Sequence, residues 1–213
     1  MKRRWGNLCF MMVALTIMLM ALAGCGGTSA GETAVARLTV KVLDVGQGDA
    51  ILIRTSEETI LVDAGDTDEA AKLTAALEKE GIKTIDKLII THPHRDHLGG
   101  SAMVFQNYIV RAVYDNGQPA TPKFYRDYLK MIKAKNIPYK TLRDGDRLDF
   151  GGGVSFTVLS PTEEMVKEGG HGKDGKINLN LNSLVGRLTY GSFAMMFSQP
   201  RSEERRVGKE CRS

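Results

Sequence analysis

Residues 88–100 read Leu-Ile-Ile-Thr-His-Pro-His-Arg-Asp-His-Leu-Gly-Gly. Three of the chain's four histidines and one aspartate fall between positions 92 and 97, directly behind a short apolar run. A continuous apolar run of this length, ending in turn residues, reads as a strand buried on both faces. Ligand-type side chains at its carboxyl end stand where α/β sheets place their sites. His92 and His94 are two apart, so at the mouth of the strand they point to the same side and offer two imidazole nitrogens to one metal ion. Asp96 and His97 follow on the turn, where they can hold a second ion on the other side of a shared water. A plain polar turn with solvated histidines is the alternative, but loop chemistry alone seldom collects four ligand-type residues behind an apolar strand.

Working outward, Leu38, Val40 and Val42 alternate with Thr39 and Lys41, which predicts a half-buried strand. Ala50–Arg54 and Thr59–Val62 follow across the turn Ser56-Glu57-Glu58, so the chain starts as a β-meander. The period then changes to helical: Asp66 with Glu69 forms a capping-box-like start, Leu73, Ala76 and Leu77 repeat on one face, and Gly81 stands at the C′ position. Beyond the motif, Ile109–Val113 reads as one strand. Thr121 as N-cap with Pro122 at N1 opens a helix through Phe124, Tyr128, Leu129 and Ile132. Arg147–Phe150 and Val154–Leu159 read as a hairpin across three glycines, Glu163–Lys176 as an exposed polar loop near the site, and Ser183–Leu188 with Ser192–Phe197 as a last hairpin.

His92-x-His94-x-Asp96-His97 followed by Gly99-Gly100 resembles the signature of the metallo-β-lactamase fold superfamily. The runs Leu43-Asp44-Val45-Gly46-Gln47-Gly48-Asp49-Ala50 and Ile60-Leu61-Val62-Asp63-Ala64-Gly65 make the chain similar, more narrowly, to the hydrolase domain of ComEC-type DNA-uptake proteins and its free-standing relatives. The resemblance covers about Leu38 to Phe197. It implies an α/β fold, the αβ/βα four-layer sandwich, incomplete at the C-terminus. It also implies that His92 and His94 hold the first metal while Asp96 and His97 hold the second, with Asp96 the catalytic residue that orients the water or protonates the leaving group. Two departures stand out. Where a third histidine is expected, the run is Asn178-Leu179-Asn180-Leu181-Asn182, so Asn180, Asn182 or His171 become candidates to complete the shell, His171 being equally readable as a solvated loop residue. Where a Phe-(Ser/Thr)-Gly-Asp turn should supply a bridging carboxylate, Phe197-Ser198 is followed by Gln199-Pro200.

Two further carboxylates are candidates. Asp63 is placed to accept from a ligand imidazole and fix its tautomer, or else caps the turn before Ala64-Gly65. Asp49, behind two glycines, forms part of the site floor or belongs to the turn; Asp44 reads as turn chemistry. With no thiolate available, the imidazole and carboxylate set suits Zn²⁺, Mn²⁺ or Fe²⁺, and two ions are expected.

The ends of the chain read differently. Lys2-Arg3-Arg4, an apolar stretch from Leu8 and the ending Leu22-Ala23-Gly24-Cys25 read as a secretory signal over residues 1–24. That ending resembles a bacterial lipobox, with Cys25 the lipidation site and 25–36 a tether, so the hydrolase domain, 37–200, is expected outside the cytoplasm, lipid-anchored to a bacterial membrane. Residues 201–213 show no periodicity and resemble the conceptual translation of a sequencing adapter, so they are expected to be foreign to the fold. The net charge is +4; the leader carries three positives, and 201–213 carry five positives against three acids, which leaves 4 − 3 − 2 = −1 for the rest. The basic balance is therefore no argument for nucleic-acid binding. The cysteines lie at 9, 25 and 211, so no disulfide is expected in the domain. The expected function is metal-dependent hydrolysis of a phosphodiester or nucleic acid in a full-length parent, with the chain as given inactive. The alternatives are hydrolysis of a lactone, thioester or β-lactam, or a non-catalytic lipoprotein that binds an envelope partner.

Overall fold

The computed structural model describes residues 38–171 and 178–198. The leader, tether and Cys25, residues 172–177, the Gln199-Pro200 step and the tail 201–213 lie outside the described residues. The chain opens as the predicted meander: β1 (Thr39–Val42), β2 (Ile51–Arg54) and β3 (Thr59–Val62) pair antiparallel in order. Helix α1 (Ala70–Lys79) then returns the chain to β5 (Lys87–Ile90), which lies parallel to β3. Short helices α2 (Arg95–Leu98) and α3 (Ser101–Asn107) lead to β7 (Val113–Asp115), parallel to β5. Helix α4 (Lys123–Ala134) leads to β8 (Tyr139–Thr141), parallel to β7. The result is a six-stranded sheet of order β1-β2-β3-β5-β7-β8. A second, antiparallel sheet has the order β12-β11-β10-β9, from β9 (Arg147–Asp149), β10 (Val154–Ser160), β11 (Val185–Tyr190) and β12 (Phe193–Phe197).

The period of two along the strands sorts side chains into two cores. Leu52, Leu61, Leu88 and Ile90 face the helices and pack with Leu73, Leu77, Leu98, Phe105 and Tyr128. Their neighbours Ile53, Ile60, Val62 and Ile89 face the second sheet and pack with Phe150, Phe156, Leu188 and Phe197. Both faces of β3 and β5 are thus covered, which is why these strands read as continuous apolar runs. The described residues form three layers, helices on sheet on sheet; the outer face of the second sheet, with Arg187 and Met196, is exposed. No helix among the described residues is long and apolar enough to cross a membrane.

Four local expectations need correction. Ile109–Val113 is not one strand: Ile109–Val110 (β6) pairs with Thr84–Ile85 (β4) in a separate two-stranded ladder, and the main-sheet strand starts only at Val113. Apolar periodicity cannot see the break at Arg111-Ala112, which is one of partner and not of residue type. Pro122, not Thr121, occupies the cap position of α4, without a side-chain cap, and the Thr121 carbonyl instead accepts from Arg126. Asp66 does cap, but it caps a 3₁₀ turn (Thr67–Glu69), while Glu69 pairs with Lys72 and does not reach back. Finally, the expected loop from Glu163 begins as a helix, α5 (Glu163–Lys167), capped by the Thr162 hydroxyl accepting from the Met165 N–H at 3.2 Å.

Candidate metal centre

The site forms where β3 and β5 end side by side. Their register pairs Val62 with Ile89, so the next residues, Asp63 and Thr91-His92, emerge at the same edge. Three loops are then tied together by backbone bonds: Asp49 N–H donates to the Asp96 carbonyl (3.1 Å), Gly65 N–H to Asp49 (2.9 Å) and Ala64 N–H to His97 (2.7 Å). This approach is so close that a Cβ on Gly48 would stand 2.0 Å from the Asp96 carbonyl oxygen, and one on Gly100 2.1 Å from that of Ala64. The glycines flanking the acidic and histidine motifs are therefore required by backbone contact, at Gly48 with φ of +101° besides.

Asp63 is the hub. It is 2% exposed and holds a left-handed φ of 59°, unusual for a residue with a side chain. Its Oδ1 accepts from the Thr91 backbone N–H (2.7 Å), and its Oδ2 accepts from the Thr91 hydroxyl (2.7 Å) and from His97 Nδ1 (2.8 Å). The Thr91 oxygen in turn lies 3.0 Å from His92 Nδ1. A carboxylate only accepts, so the Thr91 proton must point at Asp63, and the Thr91 oxygen must accept from His92. One carboxylate thereby places the Nδ1 proton of both His92 and His97 and turns both Nε2 lone pairs outward. Thr91 went unremarked in the sequence; only its place beside a ligand histidine at a strand end could have flagged it.

The outward nitrogens converge on partners. His92 Nε2 is 2.9 Å from His94 Nδ1, and His97 Nε2 is 3.8 Å from Asp96 Oδ2. The His92 ring centroid lies 4.7 Å from that of His94 and 4.1 Å from that of His97. Two nitrogens on a tetrahedral ion with bonds of about 2.0–2.1 Å stand roughly 3.3 Å apart, so the His92–His94 pair needs to open by only a few tenths of an ångström to take one. Asp96 and His97 likewise fit a second ion. Asp49 Oδ2 lies 3.9 Å from His97 Nδ1, and Asp49, Asp63 and His97 can each bring one ligand atom within 4.8 Å of the others. With three donated bonds already on Asp63, its role in that trio is to orient His97.

The charge states differ between the imidazoles. Burial, helped by the neighbouring His97 and His94, pushes His92 down to about 2, so it is a neutral lone-pair donor. Burial also lowers His94, against the pull of Asp96. Burial would lower His97 as well, but Asp63 above all, then Asp96 and Asp49, outweigh it and raise its pKa. Since Nδ1 faces Asp63, the proton His97 releases is the one on Nε2.

The candidates for completing the shell separate cleanly. Asn180, in the 3₁₀ turn Leu179–Asn182, sits beside both His92 and His94 and favours their protonated forms. Asn182 is instead a strut: its Nδ2 donates to Gln118 Oε1 and to the Met165 carbonyl (3.1 Å), and its carbonyl accepts from Asn116 Nδ2 (2.8 Å). Asn116 and Gln118, buried polar residues the sequence did not single out, hold the turn that presents Asn180. His171 is exposed and bonds the Glu168 carbonyl through Nδ1 (2.6 Å).

Comparison with known proteins agrees with this geometry. The sequence profile of the metallo-beta-lactamase superfamily matches residues 43–175. The chain is 27% identical over 141 residues to ComE operon protein 3 of Bacillus subtilis, covering 57% of this chain and 18% of that protein. It is 52% identical over 48 residues to hydroxyacylglutathione hydrolase of Rhodopseudomonas palustris, covering 22% of this chain and 18% of that protein. The chain thus spans less than a fifth of the length of these curated relatives. A solved metallo-beta-lactamase of Cronobacter sakazakii with a HARLDQ motif superposes with a TM-score of 0.50 at 17% identity, over 75% of this chain and 58% of that one, a likeness of fold. With the motif, the sheet-edge placement and the profile in agreement, the chain belongs to the metallo-beta-lactamase superfamily.

Proposed function

We propose that this chain carries the metal-binding part of a phosphodiesterase whose full-length parent works with two divalent ions, Zn²⁺ or Mn²⁺, on nucleic acid. The observation that carries the hydrolase reading is the pairing of His92 Nε2 with His94 Nδ1 at 2.9 Å beside His97 Nε2 and Asp96 Oδ2 at 3.8 Å, two of the three imidazoles being oriented by Asp63. The substrate class is supported by the likeness to ComE operon protein 3 and by the run Asp44–Ala50.

His92 and His94 would hold one ion, and Asp96 and His97 the other. When bound, such ions lower the pKa of water toward neutrality and neutralise charge on the attacked centre. Asp96, whose carboxylate is partly exposed, would take a proton from the attacking water and pass it to the leaving oxygen. Asp63 and Thr91 hold the rings against rotation, and Asn180 covers the His92–His94 pair from the opposite strand connection. The domain acts outside the cytoplasm, tied to a membrane through Cys25, and comparing membrane partition of the chain with that of Cys25→Ala tests this part.

A second reading, thioester hydrolysis, is favoured by the 52% identity to hydroxyacylglutathione hydrolase. Metal-loaded full-length protein assayed on bis-p-nitrophenyl phosphate, single-stranded DNA, a glutathione thioester and a chromogenic lactam separates the two. Turnover of the phosphodiesters, abolished in His92→Ala, is the expected result. Turnover of the thioester alone replaces the reading by the second. Absence of any bound metal after loading removes both and favours a non-catalytic envelope protein.

A further inference from the structure

Helix α4 and its exit carry five positives, Lys123, Arg126, Lys130, Lys133 and Lys135, against one acid, Asp127, or +4. The chain between the leader and the tail 201–213 has a net charge of −1, so its remaining residues carry −1 − 4 = −5. The overall balance is no argument for a polyanionic partner, but a distribution this uneven is one. Lys123, Arg126, Lys130 and Lys133 are spaced 3, 4 and 3 residues apart, which at about 100° per residue puts them within about 80° of arc. All four are exposed, and they lie on the side of the helix opposite Tyr125, Tyr128 and Ile132, which are buried in the core.

A solvated helix face ordinarily mixes signs at i,i+3 and i,i+4, because like charges there destabilise the helix. Here Lys123–Arg126, Arg126–Lys130 and Lys130–Lys133 are all like-charged neighbours. Asp127 pairs with Lys123, and its carboxyl is held below the usual carboxylate range by Lys123 first and then by Lys130 and Arg126. Among the described residues no carboxylate pairs with Lys130, Lys133 or Lys135. An anionic partner relieves the repulsion that the stripe carries. An interfacial membrane helix inserts an apolar face, but that of α4 is already packed on Phe105 and the core. Only charge is left to bind with, and a phosphodiester backbone is held by charge, here four cations along about 15 Å. The stripe also starts at the edge of the sheet where the metal centre lies. Ile90, just before Thr91, pairs with Asp115 at the end of β7, and α4 opens at Lys123 and runs back from that edge to β8.

We propose that this face of α4 holds the backbone of a nucleic-acid strand beyond the scissile phosphate, through Lys123, Arg126, Lys130 and Lys133. The proposal rests on the phosphodiesterase reading above and adds to it a binding surface outside the metal centre that grips phosphates and is indifferent to base sequence.

The test is binding of a fluorescein-labelled oligothymidylate to the full-length protein without metal, over a series of salt concentrations. Each phosphate neutralised contributes about −0.7 to the slope of log K against log salt for a single strand. Lys130→Gln combined with Lys133→Gln, exposed positions at which glutamine keeps the helix propensity, should make that slope shallower by about 1.4. Between about 50 and 200 mM salt the parent should then lose about sevenfold more affinity than the variant. Lys79→Gln combined with Lys83→Gln, exposed lysines elsewhere, should leave the slope as it is. An unaltered slope in the α4 variant, or an equal change in the control, would overturn the proposal. So would tighter binding to phosphatidylglycerol vesicles than to the oligonucleotide, measured on Cys25→Ala so that no acyl chain contributes. Oligonucleotide binding that depends on α4, with no hydrolysis of any phosphodiester by the metal-loaded protein, would keep the surface and overturn the phosphodiesterase reading. Hydrolysis of bis-p-nitrophenyl phosphate by the parent, with oligonucleotide binding the same in parent and α4 variant, would overturn the surface alone.

Discussion

Replacing Asp63 by asparagine changes one atom in bulk terms but reverses the hydrogen-bond logic of the whole centre. In the native site Oδ2 receives the Thr91 hydroxyl at 2.7 Å and His97 Nδ1 at 2.8 Å, while Oδ1 receives the Thr91 N–H at 2.7 Å. The Thr91 N–H is fixed, so the asparagine oxygen must stay there and its NH₂ must face the hydroxyl and His97. Both then have to accept. The Thr91 proton swings to His92 Nδ1, 3.0 Å away, and His92 and His97 shift to their Nε2–H forms. Each outward nitrogen loses its lone pair to a proton. Loss of a group that orients one metal-bound histidine costs about 10- to 100-fold in affinity, so two rings oriented by one carboxylate predict a loss of about 10² to 10⁴. Thr91→Val, which removes the hydroxyl linking Asp63 to His92 and leaves the Asp63–His97 bond in place, should cost about 10- to 100-fold. The assay is competition for Zn²⁺ with a chromogenic chelator, with the imidazole ¹⁵N shifts of the metal-free protein reporting the tautomers. Asp63→Asn that binds within threefold of the parent, or that keeps Nδ1–H at both rings, would refute the reasoning.

Two further outcomes follow from the fold. Gly48→Ala should destabilise by about 2 kcal/mol or more, since φ is +101° and the new Cβ would stand 2.0 Å from the Asp96 carbonyl oxygen; it should also weaken metal binding, as shown by a denaturation curve paired with a metal titration, and full stability would contradict the backbone contact. Asp115 accepts from the Tyr128 and Tyr139 hydroxyls (3.0 and 2.8 Å) and the Gly117 N–H (2.7 Å), yet burial outweighs these bonds and raises its pKa. The folded state thus holds this proton more tightly than the unfolded chain, so its contribution is complete below the unfolded value, near 3.8, and is lost as pH rises through the folded value. Asp115→Asn should flatten that part of the stability–pH curve, and a curve with the slope intact would place the titration elsewhere.

The sequence by itself determined the meander, the first and fourth helices, the two late hairpins and the position of His92, His94, Asp96 and His97 at one strand end. It could do so because each of these depends on local periodicity, turn chemistry or spacing within a few residues. What it left open between turn capping and ring orientation at Asp63, the tertiary structure decided. The two parallel strands β3 and β5 pair Val62 with Ile89, so residues 28 to 34 apart in sequence share one carboxylate. It decided equally between the asparagines: Asn180 meets the histidines and Asn182 meets Gln118, a difference invisible in an alternating Asn-Leu-Asn-Leu-Asn run. The break after Val110 belongs to the same class. Each depends on which distant backbone or side chain arrives as a neighbour, and hydrogen-bond partners across a sheet edge are fixed by strand register, which no short window of sequence contains.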